Sequence, residues 1–114
     1  MSDSPERLGE IALLIDFYSA LLTPRQRQIT EMYYQDDMSL SEISEELGIT
    51  RQGVHEALRK AEGQLFATEE KLGLVARFDS SKKCFSYIIS RLEEISQNTG
   101  ADFSDIIDAA RQML

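Results

Sequence analysis

Residues 39–59 read SLSEISEELGITRQGVHEALR, and this stretch decides the fold. Ile43 and Leu47 lie four apart, one turn of helix on the same face. Gly48 follows, and glycine is the cheapest residue in the left-handed position just past a helix end. Ile49 is expected to fill the space between two helices. Thr50 suits an N-cap, since its hydroxyl can accept from an orphan backbone N–H. From Arg51 a second helix begins. At 100° per residue, Thr50, Val54, Ala57, Leu58, Ala61 and Leu65 collect on one side, and Gln52, His55, Glu56, Arg59 and Gly63 on the other. The first set is apolar apart from the cap; the second is polar apart from one glycine. Short helix, glycine turn and longer helix make a helix-turn-helix, whose second helix enters a DNA major groove.

Working outward, every other segment also reads as helix. Residues 1–5 look frayed. From about Glu6 to Leu22 the apolar residues Leu8, Ile11, Leu14, Ile15, Tyr18, Leu21 and Leu22 keep a helical period. Thr23-Pro24-Arg25-Gln26 is a helix start, with Thr23 as cap, Pro24 in the first helical position and Gln26 completing a capping box. That helix carries Ile29, Met32 and Tyr33 inward and ends near Gln35, before a turn at Asp36-Asp37. The second helix of the motif is expected to reach Leu72, before Gly73. Asp79-Ser80-Ser81 reads as a cap or a surface break. Phe78, Phe85, Ile88, Leu92 and Ile95 recur with heptad-like gaps. Asn98-Thr99-Gly100 ends that helix, and a last one starts at Asp102 or Ser104. No segment alternates as a strand does. The expected fold class is all-α: a helix-turn-helix domain over 1–73, then a C-terminal helical extension over 74–114. The apolar stripe of the extension either folds back as core or pairs with a second copy. Dimerisation is the expectation, because one helix in one groove gives little affinity.

Composition narrows the function. At 114 residues the chain has room for a modest core. Its longest apolar run, Ile11 to Ile15, cannot span a bilayer, so no membrane partner is expected and the cytoplasm is the expected location. Cys84 is the single cysteine, which excludes an internal disulfide and fits a reducing compartment. The six glycines are scattered and form no phosphate loop. The single histidine, His55, lies in the expected reading helix without a second histidine, so it reads as a surface residue and not as a metal ligand or base. No catalytic residue, metal or cofactor is expected. Net charge is −8, and between Ser39 and Phe66 three bases face five acids. Since Lys and Arg supply sequence-independent DNA affinity, this balance argues for weak DNA binding by a monomer, or for another partner.

Two resemblances rest on quoted residues. Leu22 through Arg27, followed by Ser39 through Leu65, resembles the fourth region of bacterial sigma factors, which reads the promoter −35 element. Asp16-Phe17-Tyr18, Ala20 through Pro24, Tyr33-Tyr34 and the helix-turn-helix together look like the small YlxM-type proteins, over roughly residues 8–75. The second resemblance implies a DNA-binding regulator with a part in the signal recognition particle pathway. By the first, Arg51 and Gln52 stand where recognition helices meet base edges; arginine suits guanine and glutamine suits adenine. Arg59 and Lys60 are placed for phosphates. Glu56 stands where sigma factors commonly carry glutamine, and it can accept only from cytosine. Gly53 and His55 replace residues that are usually arginine. The candidate DNA-binding residues are therefore Arg51, Gln52, His55, Glu56, Arg59 and Lys60. A protein or RNA component of the signal recognition particle is the alternative partner.

Overall fold

A computed structural model describes Ser4–Leu114, and all of its regular elements are helices. Helix α1 spans Pro5–Tyr18, α2 Pro24–Tyr34, α3 Leu40–Leu47, α4 Arg51–Leu72, α5 Leu74–Thr99 and α6 Ser104–Arg111. The chain divides into two compact units, one running up to Val75 and the other from Ala76 to Leu114.

In the first unit the caps set the helix starts. Thr23 and Ser39 each close a full capping box, with Gln26 and Glu42 as the reciprocal partners. Ser4 caps α1 and Pro5 is its first residue, so only the first three of the residues read as frayed lie outside the described ones. The turn at Asp36-Asp37 uses a left-handed Asp37 at φ 56°, a conformation that Asp tolerates better than most residues.

Two apolar clusters hold this unit. Ile29, Ile43, Val54 and Leu58 bind the helix-turn-helix to α2, with Met32, Tyr33 and Leu40 packed around them. Ile11, Leu14, Ile15, Tyr18, Leu22, Ala61, Leu65 and Val75 join α1 to the later turns of α4. Tyr34 touches both clusters, and its hydroxyl donates to the buried Glu62 carboxylate, which also lies 3.5 Å from Arg7 Nη2. That carboxylate is satisfied, as a buried charge must be.

The end of α4 is tied just as firmly. Gly73 turns left-handed at φ 63°. Tyr18 Oη donates to Glu69 Oε1 at 2.6 Å and accepts from Leu74 N at 3.2 Å. Val75 N donates to the same Glu69 oxygen at 3.1 Å. These bonds satisfy backbone donors at the start of α5 that no side chain of α5 itself caps. Burial pushes the Tyr18 phenol above its ordinary value, and the hydrogen bond to Glu69 adds to the rise.

Three sequence expectations change. The α1 period breaks after Tyr18, where a single 3-10 turn, Ser19–Leu21, leads to an extended Leu22. Leu22 is buried, but Leu8 and Leu21 are 43% and 56% exposed, so neither belongs to the core. Asp79-Ser80-Ser81 is neither cap nor break, because α5 runs straight through it, with Asp79 paired to Lys83 one turn on at 3.0 Å. Of the stripe read in the extension, Ile88 and Ile95 are exposed while Ile89, outside it, is buried.

In the second unit α5 ends at Thr99, and Gly100 takes φ 73°. Helix α6 starts at Ser104. Asp102 Oδ1 accepts from Ser104 N at 2.9 Å, and its bonds to Ser104 hold the Asp102 carboxyl below its usual range. Arg111 pairs with Glu93. The α6 residues Ile106, Ile107 and Ala110 share one side, yet no residue of this helix is buried.

Candidate nucleic-acid interface

The turn that presents the site has two locks. Gly48 takes φ 68°, and Ile49 N donates to Ser44 O at 3.2 Å, closing α3. Thr50 then sits extended at φ −73°, ψ 153°, and its Oγ1 accepts from Gly53 N at 2.9 Å. A Cβ on Gly53 would lie 3.1 Å from that hydroxyl oxygen, so glycine leaves the cap its room. Ile49 does not plug the gap between the helices; it is 36% exposed. The closed turn directs it outward, and Ile43, Val54 and Leu58 already fill the interior from the helix faces.

The split read from the helical angle is present in space. Val54, Leu58, Ala61 and Leu65 are buried, whereas Arg51, Gln52, Glu56, Arg59 and Lys60 are exposed and His55 is half-buried. From Gln52 to Arg59 the helix rises about 10 Å, roughly three base-pair steps of a duplex.

The six candidates form two groups. Arg51, Gln52 and His55, together with Leu40 from the start of α3, line a surface depression of about 550 Å³. Glu56, Arg59 and Lys60 line a second one of about 380 Å³, a turn further along. Leu40 is the residue that sequence reasoning missed as part of the site. Its place follows from the packing of α3 across α4, a long-range fact with no local signal.

Charge on this surface differs from charge along the chain. Among the described residues Arg51, Arg59 and Lys60 make no ion pair. Two of the five nearby acids are engaged elsewhere, Glu42 in its capping box and Glu62 in its buried contacts. Glu45 and Glu46 are exposed on α3. Of the six candidate residues, three are cationic and only Glu56 is acidic. No acid stands in the first turn of α4, so its positive dipole end is not neutralised locally. Arg25 is exposed and makes no ion pair among the described residues, whereas Arg27 is engaged with Glu31 at 3.1 Å. Among the described residues no three His, Cys, Asp or Glu side chains gather into a metal-holding group. None of the described helices is long and apolar enough to cross a membrane.

Comparison with known proteins extends this geometry to a family. A family model described as "Putative helix-turn-helix protein, YlxM / p13 like" matches residues 6–104. A UPF0122 protein of Desulforamulus reducens is 46% identical over 84 residues, covering 74% of this chain and 72% of the relative. Another, from Caldanaerobacter subterraneus, is 58% identical over 73 residues, 64% of this chain and 62% of the relative. A third, from Geobacillus kaustophilus, is 43% identical over 98 residues, 85% and 86% of the two chains. The match takes in all of α2, α3 and α4, and with it the capped turn and the polar face; this chain belongs to the UPF0122 family of YlxM/p13-like helix-turn-helix proteins.

Proposed function

We propose that this protein is a DNA-binding regulator which lays the start of α4 in a major groove and acts as a homodimer. The observation that carries the reading is the exposed Arg51–Lys60 face, with its three uncommitted cations against one carboxylate. Arg51 and Gln52 are positioned to read bases, and Arg59 and Lys60 to hold the backbone. Dimerisation gathers support from the second unit, where Tyr87, Ile88 and Ile95 on α5 and Ile106 on α6 are exposed apolar side chains. A second copy of the chain would double a small footprint.

The test is titration of the full chain against genomic DNA fragments at two salt concentrations. Two phosphate-neutralising cations per chain, Arg59 and Lys60, give a slope of log affinity on log salt of about −2 for a monomer and about −4 for a dimer. Arg51→Ala weakens binding to an enriched site by about 1–3 kcal/mol. Failure to enrich any site at low salt counts against the reading.

A second reading is favoured by the net charge of −8 and by Glu56 on the presenting face. Here the protein is a protein- or RNA-binding adaptor of the signal recognition particle. Calorimetry against the particle's GTPase and against its RNA tests this reading, which predicts association that is indifferent to Arg51→Ala.

A further inference from the structure

Among the described residues, Leu40 is the one apolar side chain in the depression otherwise lined by Arg51, Gln52 and His55. It is the first residue of α3, directly after the Ser39 cap, so its backbone is fixed by that capping box. Part of its side chain packs on the Ile29, Ile43, Val54 and Leu58 cluster, and the remainder stays accessible. A leucine offers no hydrogen bond. Its accessible part can gain only by contact with another apolar group. In a major groove a single base edge carries such a group, the C5-methyl of thymine.

Resting on the DNA-binding reading above, we infer that Leu40 is a specificity-determining residue that takes a thymine methyl in the groove. The polar neighbours fix where that thymine stands. Gln52 suits an adenine, whose paired thymine shows its methyl on the same major-groove edge. Arg51 suits a guanine next to it. The depression of about 550 Å³ gives that edge room between the starts of α3 and α4. The selected half-site therefore contains an A·T pair beside a G·C pair, and its thymine methyl lies against Leu40.

The experiment selects duplexes from a random pool with the full chain at low salt, then replaces each thymine of the selected site in turn by deoxyuridine. This removes a methyl and leaves every hydrogen-bonding group and the protein unchanged. One thymine is expected to weaken binding about fourfold when its methyl is lost, the size of one buried methyl group. That sensitivity is expected to disappear in Leu40→Ala, whose helix content is checked by circular dichroism. Leu40→Met, which keeps an apolar side chain of similar volume, is expected to retain it. Selected duplexes that bind equally well at every deoxyuridine position overturn the Leu40 assignment and leave the DNA-binding reading intact. So does a methyl effect that persists in Leu40→Ala. A pool that yields no enriched sequence overturns both.

Discussion

Up to Val75 the chain buries its apolar side chains; from Ala76 onward it leaves most of them at the surface. Every buried apolar residue except Ile89 lies at or before Val75. The second unit instead shows Tyr87, Ile88, Ile95, Ile106, Met113 and Leu114 to solvent. Its helices are well formed, with a left-handed glycine between them, ion pairs along α5 and another from α6 to α5, so the difference does not lie in local structure. It lies in packing. Four helices close around two clusters in the first unit, and each helix finds a neighbour for its apolar stripe. One long helix and one helix of eight residues cannot enclose a core by themselves. The first unit therefore supplies a packed platform for the α4 face, while the second leaves apolar side chains at its surface.

The largest effect that would sharpen this contrast is loss of a platform side chain. Leu58→Ala removes a fully buried group from the cluster behind the candidate face of α4, and is expected to cost about 2–5 kcal/mol of stability. Denaturant unfolding should show that loss at any protein concentration. Tyr87→Ala acts on a side chain that is 66% exposed, and should change stability by less than about 0.5 kcal/mol in dilute protein. At high concentration its cost should grow, because partner binding adds to stability by mass action. An equal, concentration-independent loss from both variants would erase the distinction between the units.

The turn comes next in size. Gly48→Ala places a Cβ at φ 68°, and is expected to cost about 1–2 kcal/mol. Thr50→Ala leaves the Gly53 N–H without its cap and should cost about 1 kcal/mol. Both are read from the unfolding midpoint. Either loss loosens the start of α4, so binding to a selected duplex should weaken in both variants while their helix content stays near that of the parent.

The smallest effect concerns the corner at Gly73. The Tyr18 phenol is raised above its ordinary value in the folded chain, so the unfolded chain releases that proton first. Stability from this group is complete below the ordinary tyrosine range and declines as pH rises through it. The unfolding midpoint should fall from about pH 8 to about pH 11, and Tyr18→Phe should fall less over the same interval. An identical decline in both proteins would remove Tyr18 from the account.

Much of the first unit was legible because its signals are local. Thr23-Pro24-Arg25-Gln26, Gly48, Thr50 and Gly73 each act within one turn of backbone, and each sits where its chemistry requires. Ser39 and Glu42 carry the same box spacing, so that start was equally readable. The failures are residues whose fate depends on distant neighbours. Leu8 keeps the period of α1 and Leu21 reads as extending it, yet both are exposed, Leu21 on the 3-10 turn that follows Tyr18. Ile49 has the apolar character of a plug, but Ile43, Val54 and Leu58 had already closed the space. Asp79-Ser80-Ser81 resembles a break, but an ion pair one turn along and an unobstructed backbone let α5 continue. At the candidate site Gln52, His55, Glu56 and Arg59 were visible from helical angle, and Arg51 and Lys60 from the resemblance to sigma factors. Leu40 was not, since only the packing of α3 on α4 brings it beside Arg51.

The sequence by itself determined the helices, their caps and the two-faced pattern of α4. Those properties depend on backbone donors, glycine torsions and residue spacing within a few positions. Tertiary structure alone decided which apolar side chains are enclosed, which acids are engaged away from the exposed face of α4, and which residue completes its first depression. Burial and charge balance are properties of a surface, and a surface exists only once distant segments have packed.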